Sequence, residues 1–395
     1  MRDPAVTYLD HAATTPLRPE AVAALEPFLT PGAAFGNASG GHAIARRAKT
    51  FLEEAREQVA EALGCAAGEV VFTAGGTEAD NLAVKGAARA ARAQGRGEGV
   101  VTTAFEHKGV LAPCQRLAAE GFRVTRARVG RDGVVDLDAL ADALDDRTVV
   151  VSVMLVNNEV GTIQPLAEVA ALVRERAPRA VLHTDAVQAV PWLDVALAAA
   201  PADLVSVSAH KFGGPKGIGA LLVRRGIRLE PLVEGGGQER GLRSGTSNVP
   251  GAVAMAAALR ATTATRADDV RRVGRLRDRL LAGLRSEVPD LFVNGDPARK
   301  VAGNCHVGFP GVEAETLLVA LDREGLCAAA GSSCSSGAAE VSHVLTAMGL
   351  VPSDALASVR LSLGFASDDA DVDRAIAVVP GAVARLRAAS AVASR

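Results

Sequence analysis

The sequence predicts an α/β protein in which helices cover both faces of a mainly parallel sheet, followed by a smaller α+β domain. Two observations support this prediction. Short β-branched apolar runs alternate with Ala/Arg/Leu/Glu-rich helical stretches through the first two thirds of the 395-residue chain, and this alternation stops near Pro250. Such alternation is typical of parallel sheets, and a 49% apolar content is enough to bury a large core.

Local periodicity predicts the individual elements. Apolar runs bounded by polar or glycine-bearing turns indicate buried strands at Val70–Thr73, Val100–Thr103, Val149–Val156, Val181–His183, Leu204–Ser208 and Gly219–Val223. Apolar residues at helical spacing predict helices at Ala43–Leu63, Thr77–Arg92, Leu137–Leu144 and Leu166–Ala177. Because ligands of such sheets bind beyond the carboxyl ends of the strands, the residues that follow each strand are site candidates.

The last third of the chain follows another pattern. A long Ala/Arg-rich helix over Val253–Leu284 precedes shorter strands near Phe292, at Cys305–Val307 and at Val359–Leu363. We therefore expect a second domain that begins near residue 255.

Composition argues against several classes of protein. A formal net charge of −2 and an aromatic content of 3% do not fit a nucleic-acid-binding or membrane-surface protein. The chain has no apolar run long enough to span a membrane and no apolar N-terminal segment of the secretory type. Five scattered cysteines, with no CxxC pair, are not typical of a disulfide framework or a zinc site, so we expect a cytoplasmic protein without a metal.

Lys211 is the first candidate for chemistry. The chain has six lysines against 37 arginines, which suggests that a lysine at a strand end is needed for an amine that can lose its proton. Lys211 follows the predicted strand Leu204–Ser208 and precedes a glycine-rich turn, where it could form a Schiff base with a carbonyl cofactor. A lysine that reaches from a strand end into solvent is the alternative.

The turn after Val70–Thr73 is the second candidate. Gly75, Gly76 and Thr77 precede a predicted helix there. Glycines let a backbone approach a phosphate, and a threonine hydroxyl at the N-cap and the free N–H groups of a helix start could bind it. The turn does not match the P-loop pattern, and an ordinary capped helix start explains the same residues equally well.

Three further strand ends carry polar side chains. Asp185, with Gln188 three residues later, could hold a pyridinium N–H and a ring hydroxyl, and an aspartate beside that nitrogen keeps it protonated. Asn158 could donate to a cofactor oxygen, and His107 could stack on a flat cofactor or transfer a proton. Each of these residues could instead only close or cap a turn.

Two residues of the last third complete the set. Cys334 lies among glycines and serines in Gly331–Gly337, which is typical of an exposed loop whose thiolate can act as a nucleophile; an unreactive surface thiol is the alternative. Arg360 interrupts an apolar run, so an inward-pointing guanidinium would need an anion there. That anion is either a substrate carboxylate or the partner of a structural salt bridge.

Together these motifs resemble the cysteine desulfurases of the NifS/IscS type, in the class V branch of fold-type I pyridoxal-phosphate enzymes. The cysteine loop reads Gly-Ser-Ser-Cys-Ser-Ser where the family commonly has Gly-Ser-Ala-Cys-Thr-Ser, and the residues after it keep the longer loop of this branch. As a set the motifs are highly specific and run nearly end to end, at residues 8–16, 35–37, 72–81, 106–108, 156–161, 185–188, 208–219, 235–246, 331–336, 342–345 and 359–364.

The resemblance implies an architecture and an activity. A mainly parallel sheet of the seven-stranded type would lie in a large cofactor domain, residues 21–254. A small α+β domain, residues 255–395, would carry the cysteine loop, and residues 1–20 would pack with it. The cofactor would be pyridoxal 5′-phosphate. The reaction would remove sulfur from L-cysteine, leaving L-alanine and a persulfide on the enzyme.

The resemblance also assigns roles around the cofactor ring. Lys211 would be the Schiff-base lysine and the base for the substrate Cα proton, and Cys334 would be the nucleophile that takes the sulfur. His107 would stack on the ring and take part in catalysis. Asp185 would pair with the pyridine nitrogen and Gln188 with the ring hydroxyl.

The remaining implied contacts bind the substrate and the phosphate. Asn158 would lie near the ring oxygen and the substrate carboxylate, which Arg360 would bind. Thr246 would reach the phosphate of the other subunit, which implies an obligate homodimer. Within one subunit the phosphate would be held by Gly76, Thr77, Ser208 and His210.

The persulfide sulfur would pass to an acceptor protein such as an iron–sulfur scaffold or a thiolation enzyme. The sequence ends at Arg395 without the extended tail that some relatives use to bind a scaffold, which argues against scaffold docking of that kind. The resemblance does not specify the acceptor. Selenocysteine lyase activity, another class V reaction, or a non-catalytic sulfur-carrier platform are the alternatives. Cys334 argues against epimerisation and transamination, because neither reaction needs a sulfur acceptor. No role is assigned to His11.

Overall fold

The computed structural model describes residues 6–30, 32, 34–330 and 341–393. In these ranges the strands are β1 (Thr7–Tyr8), β2 (Val70–Thr73), β3 (Gly99–Thr103), β4 (Arg123–Ala127), β5 (Thr148–Ser152), β6 (Val181–Asp185), β7 (Leu204–Ser208), β8 (Gly219–Val223), β9 (Phe292–Val293), β10 (Asn304–Gly308), β11 (Leu326–Cys327), β12 (Ala329–Ala330) and β13 (Ser358–Ser362).

The helices of the same ranges are α1 (Pro19–Leu29), α2 (Ala43–Leu63), α3 (Gly76–Asn81), α4 (Ala87–Ala93), α5 (Lys108–Ala119), α6 (Leu137–Ala143), α7 (Leu166–Arg176), α8 (Val195–Ala198), α9 (Val249–Glu287), α10 (Ala314–Arg323), α11 (His343–Ala347), α12 (Pro352–Leu356) and α13 (Asp369–Ala393). A π-helical turn, Leu82–Gly86, joins α3 to α4, so the predicted helix Thr77–Arg92 is present in three pieces. None of the described helices is both long and apolar enough to cross a membrane.

Seven of the described strands form one sheet in the order β2–β8–β7–β6–β5–β3–β4. From β4 to β7 each strand pairs parallel with its neighbour, whereas β8 is antiparallel to both β7 and β2. The predicted mainly parallel sheet is therefore confirmed. Because β2 and β3–β7 run in the same direction, their carboxyl ends meet at one edge of the sheet, where α/β proteins bind ligands.

The central strands are apolar on both faces because helices cover both. In β3, Val100 packs among buried residues of α3, α4 and α5, whereas Val101 packs in the cluster that holds α2, α7 and the start of α9. Strands β3, β5, β6, β7 and β8 are buried along their whole length. This burial explains why their sequences are continuous apolar runs that could be recognised without alternation.

Two departures from the predicted strands have simple causes. Strand β4 was not predicted because it lies at the edge of the sheet, where Arg123 and Arg126 are exposed and interrupt the apolar pattern. The predicted strand Val149–Val156 ends at Ser152. After Ser152 the chain leaves the sheet and continues as a loop, and the apolar residues of that loop are buried in the core.

The small α+β domain is present as predicted. Strands β12, β13, β10 and β9 form an antiparallel sheet in that order. Its core contains Leu280 of α9, Leu317 of α10, Leu361 of β13 and Val379 of α13, all buried in one cluster.

Two segments connect the small domain to the rest of the chain. Near the N-terminus, β1 pairs parallel with β11, and Leu9 is buried in the small-domain cluster. Helix α9 runs through both cores: Met255 packs in the large-domain cluster and Leu280 in the small one. The proposed division at residues 254 and 255 falls inside this helix, and the three proposed units, 1–20, 21–254 and 255–395, stay a prediction.

Candidate active site

The parallel strands bring most of the predicted residues to one edge of the sheet. The residues concerned lie at, or directly after, the carboxyl ends of five strands: Gly76 and Thr77 after β2, His107 after β3, Asn158 after β5, Asp185 and Gln188 at the end of β6, and Ser208, His210 and Lys211 at the end of β7.

Lys211 closes a tight turn after β7. It is the last residue of the 3₁₀ turn Ala209–Lys211, and a Cβ at Gly214 would lie only 2.7 Å from the Cβ of Ala209. The half-buried side chain donates from Nζ to the carbonyl oxygens of Ala12 and Ala13, at 2.7 Å each. The amine is therefore held inside the protein by main-chain oxygens rather than directed into solvent.

The segment from Tyr8 to Thr15 forms the wall opposite Lys211. The carbonyl oxygen of Ala12 also accepts a hydrogen bond from Nε2 of Gln188, at 2.8 Å. The Thr14 hydroxyl lies 3.2 Å from Nδ1 of His210. This segment was part of the family resemblance but carried no assigned role, because its contacts with Lys211 and Gln188 are made by main-chain oxygens that side-chain chemistry does not reveal.

Buried Asp185 and half-buried His107 are neighbouring polar residues of the site. Asp185 is 5% exposed, and its Oδ1 accepts the N–H of Val187 at 2.9 Å. Burial raises the pKa of Asp185, and the charge of Lys211 opposes that rise. Burial lowers the pKa of His107, whose Nδ1 accepts the N–H of Gly109 at 2.9 Å. The histidine is therefore neutral near pH 7, with its proton on Nε2.

The glycine turn after β2 packs closely against Val187 and Ser208. Gly75 has a φ of 154°, which favours glycine, and a Cβ at Gly76 would lie 2.7 Å from Cγ2 of Val187. Thr77 is exposed, and it is not the N-cap that the sequence suggested, because α3 already begins at Gly76. Burial lowers the pKa of His210 to about 4, so its imidazole is neutral and can donate one N–H.

Arg360 is the inward-pointing arginine that the sequence predicted. Its side chain is 3% exposed and makes an ion pair from Nη2 to Oδ1 of Asp10, at 2.8 Å. Its Nη1 donates to the carbonyl oxygen of Asn158 at 2.7 Å. Within this pair of residues, buried Nε of Arg360 and buried Oδ1 of Asn158 have no hydrogen-bond partner among the described residues. The guanidinium thus has both a structural anion and an unused donor.

Two predicted residues stand apart from this group. Thr246 is exposed in the segment before α9, and its predicted contact with a second subunit stays a prediction. Cys334 lies outside the residues that the structure describes.

Sequence reasoning missed several buried acids around the site. Asp80 in α3 and Glu106 before α5 are 1% and 0% exposed, and Asp10 anchors Arg360. Burial raises the pKa of Glu106 to about 8. Asp80 and Glu106 lie within the motifs at residues 72–81 and 106–108. An acidic residue is nevertheless expected to be exposed to solvent unless the structure shows that it is buried.

The chain matches one known family over most of its length. Residues 7–375 match the aminotransferase class-V family. With the mainly parallel sheet and the strand-end lysine, this match shows that the chain belongs to that family, whose members depend on pyridoxal phosphate.

The individual proteins similar to this chain belong to a narrower group than the family as a whole. An IscS-like cysteine desulfurase of Mycobacterium tuberculosis is 46% identical over 394 residues, covering 98% of this chain and 99% of that protein. The cysteine desulfurase IscS of Methanosarcina thermophila is 43% identical over 380 residues, covering 96% and 92%. A solved structure of a NifS-like protein superposes with a TM-score of 0.89 at 33% identity, covering 96% of this chain and 100% of that one. The predicted kinship with NifS/IscS-type cysteine desulfurases is confirmed.

The residues of the cleft fit pyridoxal phosphate. Lys211, Asp185 and His107 bring an amine, a carboxylate and a neutral imidazole within reach of one another. The amine suits the aldehyde of the cofactor, the carboxylate suits its pyridine nitrogen, and the imidazole suits the face of its ring. The glycine turn at Gly76 leaves no room for a side chain, which is typical of a backbone that approaches a phosphate. In the described part of the chain the buried Oδ1 of Asn158 has no hydrogen-bond partner, so it is an acceptor that a bound ligand could use.

Proposed function

We propose that this protein is a pyridoxal-phosphate-dependent cysteine desulfurase that uses the cleft around Lys211. The observation that carries the proposal is the convergence of Lys211, Asp185 and His107 at one sheet edge, in a chain of the class-V family. The cysteine desulfurases among its relatives support L-cysteine as the substrate.

The large domain would hold the cofactor. Asp185 would accept the proton of the pyridine nitrogen, Gln188 would donate to the ring hydroxyl, and His107 would lie on the ring face. The phosphate would be bound by Gly76, Thr77, Ser208 and His210, and by Thr246 of the partner subunit. When bound, the cofactor supplies an aldehyde for amino groups and a ring that withdraws electrons from the substrate Cα.

The substrate would lie between Lys211 and Arg360. Arg360 would bind the α-carboxylate through its unused Nε donor, with Asn158 beside it. Its ion pair to Asp10 fixes the plane of the guanidinium, since two of its nitrogens already have partners. Lys211 and Arg360 come from the large and the small domain, so the cleft between the domains orients the substrate.

Two residues would carry out the proton and sulfur transfers. Nζ of Lys211, which must be neutral for this step, takes the proton from the substrate Cα and later returns a proton to the product. The Cys334 thiolate attacks the substrate sulfur, the C–S bond breaks with its electron pair on carbon, and the sulfur remains as a persulfide on Cys334. After protonation the carbon skeleton leaves as L-alanine.

The persulfide would be passed on by contact with another protein. We propose an acceptor such as an iron–sulfur scaffold or a thiolation enzyme, in the cytoplasm, with neither a membrane nor a nucleic acid as a direct partner. We also propose a homodimer, since the phosphate site would need Thr246 from the second subunit.

The activity is tested with L-cysteine under reducing conditions. The holoenzyme should release alanine and sulfide in equal amounts. Cys334→Ala should lose sulfide release but keep the cofactor absorption band, and Cys327→Ser, a half-buried cysteine in β11, serves as the matched control. Borohydride reduction followed by peptide mapping should place the cofactor on Lys211. Full turnover by Cys334→Ala, or no adduct on Lys211, would contradict the proposal.

The shared site is tested by mixing two defective chains. Lys211→Ala and Thr246→Ala subunits should each be inactive or weak at limiting cofactor. A hybrid dimer of the two should have one intact site, with Lys211 from one subunit and Thr246 from the other, and should regain up to about half of the wild-type activity per dimer. A chain with both substitutions, mixed with wild type, serves as the control. No recovery in the hybrid would argue against sharing of the site.

A further inference from the structure

Asp80 lies behind the cleft and has no part in the roles proposed above. It is 1% exposed, and its Oδ1 has no hydrogen-bond partner among the described residues. Helix α5 can approach it because residue 109 is glycine: a Cβ there would lie 2.7 Å from Oδ2 of Asp80. A fully buried carboxyl group is unfavourable unless it is paired or neutral, so its protonation state needs an explanation.

Asp80 belongs to a compact group with Asp185 and His107. One ligating atom from each of the three lies within 4.8 Å of the others. The imidazole of His107 is neutral, because burial lowers its pKa and the N–H of Gly109 occupies its Nδ1. Two charged carboxyl groups this close together in a buried site repel each other, which favours a state in which the pair holds one proton.

The surroundings favour Asp185 as the charged member of the pair. Asp185 accepts the N–H of Val187, and the charge of Lys211 favours its ionised form. Asp80 faces Asp185, Glu106, His107, His183 and Ser206. Burial raises the pKa of Asp80 well above its ordinary value, the charge of Asp185 raises it further, and Ser206 opposes this rise.

A chain of neutral groups continues from Asp80 into the sheet. Nε2 of His183 lies 3.7 Å from Oδ1 of Asp80 and 2.9 Å from the hydroxyl of Ser206. Nδ1 of His183 lies 2.8 Å from the hydroxyl of Ser152. Burial lowers the pKa of His183 to about 3, so it brings no charge to Asp80. Hydroxyl groups and a neutral imidazole both donate and accept, so they can hold a protonated carboxyl in one orientation.

We propose that Asp80 is a positioning residue that carries the proton of a buried carboxyl pair with Asp185, so that Asp185 stays anionic toward the cofactor nitrogen. The purpose of this arrangement rests on the proposed function, whereas the proton itself is a property of the protein without cofactor. A charged Asp80 would instead favour a protonated Asp185, which could no longer pair with a protonated pyridine nitrogen.

The proton is tested by infrared spectroscopy of the cofactor-free protein near pH 7. The wild type should show the carbonyl band of a protonated carboxylic acid that shifts when aspartate is labelled with ¹³C. Asp80→Asn, which keeps the shape of the side chain, should lose this band. Glu106→Gln is the matched control, since the glutamate band does not respond to aspartate labelling. A label-sensitive band that persists in Asp80→Asn would overturn the proposal.

Two further measurements cover the remaining outcomes. If Asp80→Asn fails to fold, the labelled wild type alone decides, because the absence of a label-sensitive band contradicts a protonated aspartate. In the holoenzyme, the pH midpoint of the cofactor absorption band should be the same in Asp80→Asn and the wild type. If both carboxyl groups were charged, neutralisation of Asp80 would remove a charge that favours the protonated cofactor, and the midpoint would fall by ~1 pH unit or more.

The same preparations separate this inference from the proposed function. If the infrared band behaves as expected and the wild type releases no sulfide from L-cysteine, the carboxyl pair is correct and the desulfurase proposal fails. If sulfide is released and the band is absent, only the role of Asp80 fails.

Discussion

The ion pair between Arg360 and Asp10 allows the substrate side of the cleft to be tested quantitatively. The side chains are 3% and 20% exposed, and Nη2 lies 2.8 Å from Oδ1. The other described partner of the guanidinium is the carbonyl oxygen of Asn158. Asp10→Ala would therefore leave a buried cation with one uncharged acceptor.

The expected loss of stability follows from this burial. Removal of one partner from a buried ion pair costs ~3–5 kcal/mol, because the other charge stays buried and unpaired. Asp10 is partly exposed, so water can replace some of its interaction, and we expect a loss of ~2–3 kcal/mol for Asp10→Ala. Asp10→Asn keeps an acceptor oxygen and should lose ~1–2 kcal/mol. In an Arg360→Met chain, which has no cation there, Asp10→Ala should cost less than ~1 kcal/mol.

The assay is a double-mutant cycle in urea on the cofactor-free protein, with the free energy of unfolding measured for the wild type, both single variants and the double variant. The holoenzyme adds a kinetic readout. Since Asp10 holds the arginine that binds the substrate carboxylate, Asp10→Asn should raise KM for L-cysteine by ~10-fold with a smaller change in kcat. An equal cost of Asp10→Ala in the wild-type and Arg360→Met backgrounds would refute the reasoning, because the two side chains would then not act as a pair.

Three other predictions follow from the described contacts. Gly76→Ala should weaken cofactor binding by ~10-fold in an absorption titration, because its Cβ would lie 2.7 Å from Val187, whereas Gly68→Ala, with open space around it, should leave binding unchanged. Glu106 has a pKa of about 8 in the folded protein instead of the ordinary 4.5, so between these pH values the folded protein binds a proton that the unfolded chain has lost. The free energy of unfolding should therefore fall as the pH rises from 4.5 to 8. Glu106→Gln should reduce that fall by ~2–4 kcal/mol, as measured by urea unfolding. The thiols of Cys114 and Cys305, with pKa values raised to about 12 and about 11, should react with iodoacetamide at least ~100-fold more slowly in the native protein than after unfolding, as followed by mass spectrometry, and equal rates would contradict their burial.

Sequence reasoning succeeded where local pattern and tertiary burial agree. Val70–Thr73, Leu204–Ser208 and Gly219–Val223 are strands at the predicted residues, because a strand buried on both faces has a continuous apolar sequence. The helix Ala43–Leu63 is also present at its predicted residues, with Gly64 in the left-handed conformation at its C-cap. The strand-end rule then placed the candidate residues at one edge without any knowledge of side-chain contacts.

Sequence reasoning failed where the outcome depends on contacts between distant segments. The two-residue strands β1, β11 and β12 are too short to show a period and exist only through their partners. The ion pair of Asp10 joins residues that are 350 positions apart, and the burial of Asp80 depends on a glycine in another helix. No local pattern distinguishes these acids from solvated ones, although several lie within the family motifs.

The segment from Tyr8 to Thr15 shows why those distant contacts matter for function. On one side its carbonyl oxygens at Ala12 and Ala13 accept hydrogen bonds from Lys211 of the large domain. On the other side Asp10 pairs with Arg360 of the small domain. The separation between the lysine and the arginine is therefore set by one short stretch of chain as well as by the packing of the domains. A change at Asp10 should for this reason affect where the substrate carboxylate sits relative to the amine, which is why its effect is expected in KM before it is expected in kcat.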